Sequence, residues 1–221
     1  MNILILCHGE PPPESLLISE RQRCDLFIAA DGGAWIALDH GVTPDVVIGD
    51  LDSFRADRRP DGPWTILHDP DQETNDLEKA LAHAHSVGGQ TIVLLGGTGK
   101  HLDHTLKNLS VCLQFRNRFE HLRILESGGE LFFLPETWQG RVGTGRSLSL
   151  VPFGGPVTGI RTDGLRYPLH NETLQVGVRD GSSNEALQET VTIEHDTGDL
   201  FLYLARRTKP ETSQPSDIER S

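Results

Sequence analysis

The feature that most constrains this chain is a change of rhythm at Gly128-Gly129. Before that turn signal, short β-branched or leucine-rich runs alternate with amphipathic stretches. After it, strand-like runs follow one another with no helical periodicity between them. The first part offers strands at residues 2–7, 25–30, 45–48, 64–68, 91–95 and 122–125, with the clearest helices at 75–87 and 104–118. In the first helix Leu77, Ala80, Leu81 and Ala84 recur at helical spacing. Such alternation predicts βαβ units and a mostly parallel sheet. The second part offers strands at 130–134, 147–151, 173–178, 189–194 and 199–205, separated by Gly, Pro, Asn and Asp clusters, so it is expected to be antiparallel. The expected division is an α/β domain over 1–136 and a smaller all-β domain over 137–205. A polar, proline-bearing tail over 206–221 is expected to be disordered.

Ligands of open α/β sheets bind outside the carboxyl ends of the strands. Those ends carry carboxylates and glycines here. Residues 25–30 lead into Asp31-Gly32-Gly33, and residues 45–48 into Gly49-Asp50-Leu51-Asp52. Residues 64–68 lead into Asp69-Pro70-Asp71-Gln72, with Asn75-Asp76 at a helix start. Residues 91–95 lead into Gly96-Gly97-Thr98-Gly99-Lys100, with Asp103 close behind.

Asp50 and Asp52 form the sharpest pair, because residues i and i+2 of an extended segment face the same way. Two carboxylates held together repel unless a cation or proton lies between them. Mg²⁺ suits that arrangement, taking one or two carboxylates together with substrate phosphates. Asp76 sits in the first turn of a strongly periodic helix with Lys79 nearby; helix capping accounts for Asp76 alone, and either Thr74 or Asn75 is the N-cap. Residues 96–100 fail the GxxxxGK[ST] pattern, since Leu94 and His101 stand where Gly and Ser or Thr are required. They form either a tight turn or a strand-to-helix turn whose backbone N–H groups receive phosphate.

A formal net charge of −12 argues against partners that need a basic surface, so no nucleic acid or anionic membrane is expected. The apolar start lacks a basic leader region and is too short for a signal peptide. No run reaches the length of a membrane span. Cys7, Cys24 and Cys112 form neither CxxC nor an even framework, which points to reduced thiols and a cytoplasmic protein. The ten histidines supply no HExxH or Cys–His arrangement; His101 and His104, flanking Asp103, are the two at a candidate site.

Together these segments resemble thiamine pyrophosphokinases. The resemblance runs through Ala30-Asp31-Gly32-Gly33-Ala34, the stretch from Pro44 to Ser53, the stretch from Asp71 to Leu81, Leu95-Gly96-Gly97, and Leu102-Asp103-His104-Thr105-Leu106 with Asn108. It continues through Gly154-Gly155-Pro156-Val157-Thr158-Gly159, Gly164-Leu165-Arg166-Tyr167-Pro168-Leu169 and Ser182-Ser183-Asn184-Glu185. It implies transfer of a pyrophosphoryl group from ATP to the hydroxyl of thiamine, giving thiamine diphosphate and AMP. It also implies a Rossmann-like, three-layer α/β domain followed by a β-sandwich, in a homodimer with active sites at the subunit interface. By that resemblance Asp50, Asp52 and Asp76 hold Mg²⁺, Asp31 and Gln72 lie near the metal-bound phosphates, and Asp103 closes the site. Lys79, Gly97, Lys100 and His101 belong to the substrate-binding set, and Ser183 and Asn184 lie near the thiamine.

The chain departs from the family's usual Gly-Arg-[Phe/Leu]-Asp-His turn, reading Lys100-His101-Leu102-Asp103-His104. Lysine and histidine differ from arginine in geometry and charge, so the expectation is either that Lys100 takes over as the phosphate cation or that affinity for ATP is weaker. Either Asp31 or Asp103 is expected to take the proton of the attacking hydroxyl. Two rival functions are a diphosphokinase for another hydroxymethyl acceptor, such as a pterin, and a nucleotide or thiamine sensor without turnover.

Overall fold

The computed structural model describes residues 1–52 and 64–207; Ser53 and the part of the expected tail beyond residue 207 lie outside them. The chain runs β1 (Asn2–Leu6), α1 (Glu14–Arg21), β2 (Leu26–Ala30), α2 (Gly33–Asp39), β3 (Val46–Gly49), β4 (Thr65–His68) and α3 (Asp76–Ser86). It continues through β5 (Thr91–Leu95), α4 (Leu102–Phe115), β6 (His121–Glu126) and β7 (Gly129–Phe133). Strands alone follow: β8 (Thr137–Arg141), β9 (Ser147–Asp163), β10 (His170–Leu174), β11 (Gly181–Glu185), β12 (Thr190–Glu194) and β13 (Thr197–Ala205).

The fold is mixed α/β. Strands β4-β3-β2-β1-β5-β6 are all parallel, in that spatial order. Alternate residues of one strand serve opposite faces. Ile3 and Ile5 of β1 join Leu77, Ala80, Leu81 and Ala84 of α3 and Val111 and Phe115 of α4 in one core cluster. Leu4 and Leu6 join Leu17 of α1 and Ile36 and Ala37 of α2 in another. Burying each such leucine or isoleucine contributes about 1.5–3 kcal/mol. From β6 onward the pairing is antiparallel: β6 meets β7, β7 meets β13, and β13 meets β9. The 17-residue β9 also pairs with β10, β11 and β12, around a core that includes Leu148, Leu150, Val157, Ile160, Val191 and Leu202.

Helix α3 forms where the periodicity places it, and for visible reasons. Asn75 is its N-cap, accepting from the Glu78 N–H at 2.9 Å, and Asp76 and Glu78 oppose the helix dipole in the first turn. The helix ends at Ser86 with Val87 as its C-cap, followed by Gly88 at φ +82°, a value glycine adopts without a Cβ penalty.

Three expectations differ in detail. The strand expected at 173–178 is the end of β10 followed by a hairpin tip, because Gly177 turns the chain at φ +78° and leaves Val176 and Val178 exposed. Strand β8 was not expected, and neither was β11, whose Gly-Ser-Ser-Asn-Glu composition carries no apolar alternation. Both form by pairing with partners distant in sequence. Helix α4 begins at Leu102 rather than 104 and closes in a 3-10 turn over Arg116–Arg118.

Candidate functional site

Strand β1 has β2 on one side and β5 on the other, so the chain progresses outward in opposite directions from that pair. A crevice opens at such a switch point, beyond the carboxyl ends of the strands. Here it is a cavity of about 420 Å³ whose wall includes His8, Asp31, Asp50, Asp52, Asn75, Asp76, Gly97, Lys100, His101, His104 and Asn108.

Asp31, Asp50 and Asp76 converge, each offering an oxygen within 4.8 Å of the other two. Gly49 makes room for them. A Cβ there would stand 2.8 Å from Asp76 Oδ1 and 2.9 Å from the Asp31 Cβ. Asp31 is buried and follows β2 at φ +40°, while Leu51 and Lys100 have φ +62° and +54°. Three non-glycine residues thus hold a sparsely populated conformation around one cavity, as backbones at functional sites often do.

The three carboxylates differ in environment. Burial, reinforced by the charges of Asp31 and Asp50, pushes Asp76 up to about 6. Lys79 opposes that rise; its buried ammonium lies 3.8 Å from Asp76 Oδ1 and donates to the Asp69 carbonyl at 2.8 Å. Asp50 is held below the usual carboxylate range, chiefly by Gln72, whose Nε2 donates to Oδ2 at 3.1 Å, and by the Asp52 N–H. A cluster of like charges that raises one member's proton affinity is an electrostatic demand for a cation. The all-oxygen donor set suits a hard divalent ion.

The other expected residues fall into two groups. Asp52 is exposed on the cavity wall, outside the three-carboxylate cluster, and gives Asp50 its backbone N–H. Gly97, Lys100 and His101 also line the cavity, and Lys100 Nζ donates to the His8 carbonyl at 3.1 Å. Asp103 lies exposed in the first turn of α4, between His101 and His104 of that wall. Ser183 and Asn184 sit in β11, away from it. The buried Asn184 carboxamide is occupied: Oδ1 accepts from the N–H groups of Tyr167 and Glu185, and Nδ2 donates to the Tyr167 carbonyl at 2.8 Å.

Sequence reasoning named Asn75 at a helix start and Asn108 within the resemblance without giving either a place on this wall, and it passed over His8. His8 packs so closely on Gly32 that a Cβ there would collide with its ring. Desolvation lowers its pKa, Lys100 adds to the effect, and Asp31 opposes it. Its signal was available, since it directly follows the run expected as the first strand, residues 2–7, as Asp31 follows the second.

The family description "Thiamin pyrophosphokinase, catalytic domain" matches residues 18–125, and "Thiamin pyrophosphokinase, vitamin B1 binding domain" matches residues 138–200. Thiamine pyrophosphokinase 1 of Oryza sativa subsp. japonica is 30% identical over 84% of this chain and 80% of its own length. The chain belongs to the thiamine pyrophosphokinase family. The thiamin pyrophosphokinase structure from Geobacillus thermodenitrificans superposes with a TM-score of 0.80 at 25% identity, over 94% of this chain and 99% of that one. The Candida albicans thiamin pyrophosphokinase shares the fold at TM-score 0.78 and 16% identity, over 92% of this chain and 88% of its own. The pyrophosphokinase catalytic match spans the whole carboxylate cluster, and the vitamin-binding match spans Ser183 and Asn184.

Proposed function

We propose that this chain transfers the pyrophosphoryl group of ATP to the hydroxyl of thiamine, with Mg²⁺, in the cytoplasm and as a homodimer. The observation that carries the reading is the convergence of Asp31, Asp50 and Asp76 at the strand switch point of a chain whose two parts both match this family. Those three carboxylates would hold the ion, with Asp52 beside them on the cavity wall. When bound, Mg²⁺ neutralises charge on the phosphate oxygens.

The residues of the chain then have separate tasks. Gln72 and the Asp52 N–H keep Asp50 ionised and oriented. Lys79 braces the Asp69 loop against α3. Lys100, His101 and the N–H groups of the turn at Gly97 receive the oxygens of the triphosphate. The thiamine oxygen forms a bond to the β-phosphorus as the bond from that phosphorus to the bridging oxygen breaks, and AMP leaves with that oxygen. The hydroxyl proton passes to a carboxylate outside the ion's ligands, for which we choose Asp103, in the first turn of α4 between the wall residues His101 and His104.

The finer architecture belongs to the same reading. Helices packed on both faces of the parallel strands support a Rossmann-like, three-layer domain over 1–136. The separate apolar core around β9 supports a β-sandwich over 137–205. Ser183 and Asn184 lie away from the cavity of their own subunit, which supports a site completed by a second copy, with β11 and Tyr167 facing the thiamine.

The test is AMP release from ATP and Mg²⁺ with thiamine, with a hydroxymethylpterin, and with no acceptor. Release only with thiamine is expected. Release with the pterin instead would reassign the acceptor, and tight ATP binding without release would make the chain a sensor.

A further inference from the structure

Two asparagines on different helices join the opposite sides of the cavity. Asn75, the N-cap of α3, directly precedes Asp76 of the carboxylate cluster. Its Nδ2 donates to Asn108 Oδ1 at 3.0 Å. Asn108, within α4, donates through Nδ2 to the Gly97 carbonyl at 2.8 Å. Gly97 is buried in the glycine-rich turn, and all three residues line the cavity. This path from carboxylates to turn therefore runs through two carboxamides, with Asn108 as the one that touches the turn.

The turn needs such an anchor. Gly96, Gly99 and Lys100 all have positive φ, at +63°, +81° and +54°. The carbonyls of Gly96 and Thr98 are fixed by the N–H groups of Gly9 and Glu10 from the segment after β1. The Gly97 carbonyl is fixed by Asn108, from the side of the turn that faces α3 and α4. A carboxamide presents a donor and an acceptor on one rigid plane; a carboxylate has no donor and an ammonium no acceptor. Asn108 can thus accept from Asn75 and donate to Gly97 together, and removing its donor leaves a buried carbonyl unsatisfied.

We propose that Asn108 is a positioning residue that sets the distance between the carboxylate wall and the glycine turn, and thereby the length of triphosphate the cavity grips. The proposal rests on the Mg²⁺–ATP reading above. A triphosphate held at the cluster by one set of oxygens and at the turn by another is sensitive to that spacing. A displacement of about 1 Å in such an arrangement lowers rates by about a hundredfold.

The experiment compares wild-type full chain with Asn108→Asp and Asn108→Ala, using Ser110→Ala, exposed on the same helix, as the control. Asn108→Asp is nearly isosteric; it keeps the acceptor for Asn75 and loses the donor to Gly97, so it serves if the alanine variant folds poorly. Steady-state kinetics are paired with calorimetry of a non-hydrolysable ATP analogue plus Mg²⁺, and with thermal melts. Both Asn108 variants are expected to lose about tenfold or more in kcat/KM for ATP and in analogue affinity. The KM for thiamine stays within about twofold, while Ser110→Ala matches wild type in every readout. Wild-type kcat/KM for ATP and wild-type analogue affinity in Asn108→Asp would overturn the proposal, as would losses that fall equally on ATP and thiamine and follow the melting temperature. A wild-type chain that releases no AMP with thiamine refutes the functional reading instead. The calorimetry then still decides the role of Asn108.

Discussion

Gly49 has no side chain, and the space a methyl group would take there belongs to Asp76 and Asp31. Gly49→Ala is therefore expected to spread the carboxylates and weaken Mg²⁺ by roughly tenfold or more, since metal sites tolerate little displacement of their ligands. A Mg²⁺ titration of activity measures it; an unchanged half-saturating concentration would contradict the role given to Gly49. Asp50→Asn removes one of the converging charges and is expected to abolish turnover with the circular dichroism spectrum unchanged, and near-normal AMP release would refute the metal assignment. Asp76 supplies a pH dependence. Its carboxyl ionises near 6 in the folded chain against an ordinary value of 3.8, so between those values the folded state keeps a proton that the unfolded state has released. This group's contribution favours the metal-free fold at pH 5 and falls as pH rises through 6. Mg²⁺, which needs the ionised form, is thus expected to raise the melting temperature more at pH 7.5 than at pH 5. Equal shifts at the two pH values would count against it. At this scale the sequence was legible wherever a carboxylate directly follows a strand, as Asp31 and Asp50 do. Asn108 was not, because its contacts to Asn75 and Gly97 cross 33 and 11 residues, and no local pattern encodes them.

Helix α3 places Asp76 of the carboxylate cluster at its start and buries an apolar stripe along its length. Leu81 is fully buried in the cluster that includes Ile3, Ile28 and Ile48. Leu81→Ala is expected to lower stability by about 2–5 kcal/mol, read from the urea midpoint. The helix was legible because its cap, charges and apolar stripe agree with one another. The residues 173–178 were misread for the opposite reason: Leu174, Val176 and Val178 alternate like a strand, but the glycine at 177 turns the chain instead. Strand β11 has almost no apolar signal and exists because β9 offers it an edge. Local pattern identifies elements that bury a face of their own, whereas it misses those recruited by a partner.

For the whole molecule, the proposed dimer makes a quantitative prediction. If Asn184 of one copy completes the cavity of the other, Asp50→Asn and Asn184→Ala are each inactive alone. Unfolded together and refolded, they should regain about a quarter of wild-type activity, because half of the dimers are mixed and each mixed dimer restores one site. No recovery, or a monomer by sedimentation, would place the acceptor within a single subunit. The change of rhythm at Gly128-Gly129 announced a parallel region followed by an antiparallel one, and that much of the architecture was readable from periodicity. The sheet's continuity was not: β13, near the end of the described chain, inserts between β7 and β9.

That insertion has a consequence for how the protein is made. A ribosome delivers the parallel strands early, yet β7 finds its second neighbour only when Thr197–Ala205 emerges. Until then a leucine- and phenylalanine-bearing edge is open to pairing with other nascent chains. Synthesis interrupted before that point leaves the converging carboxylates encoded but the edge of β7 unpaired. The last strand among the described residues thus closes an edge laid down some seventy residues earlier in the chain.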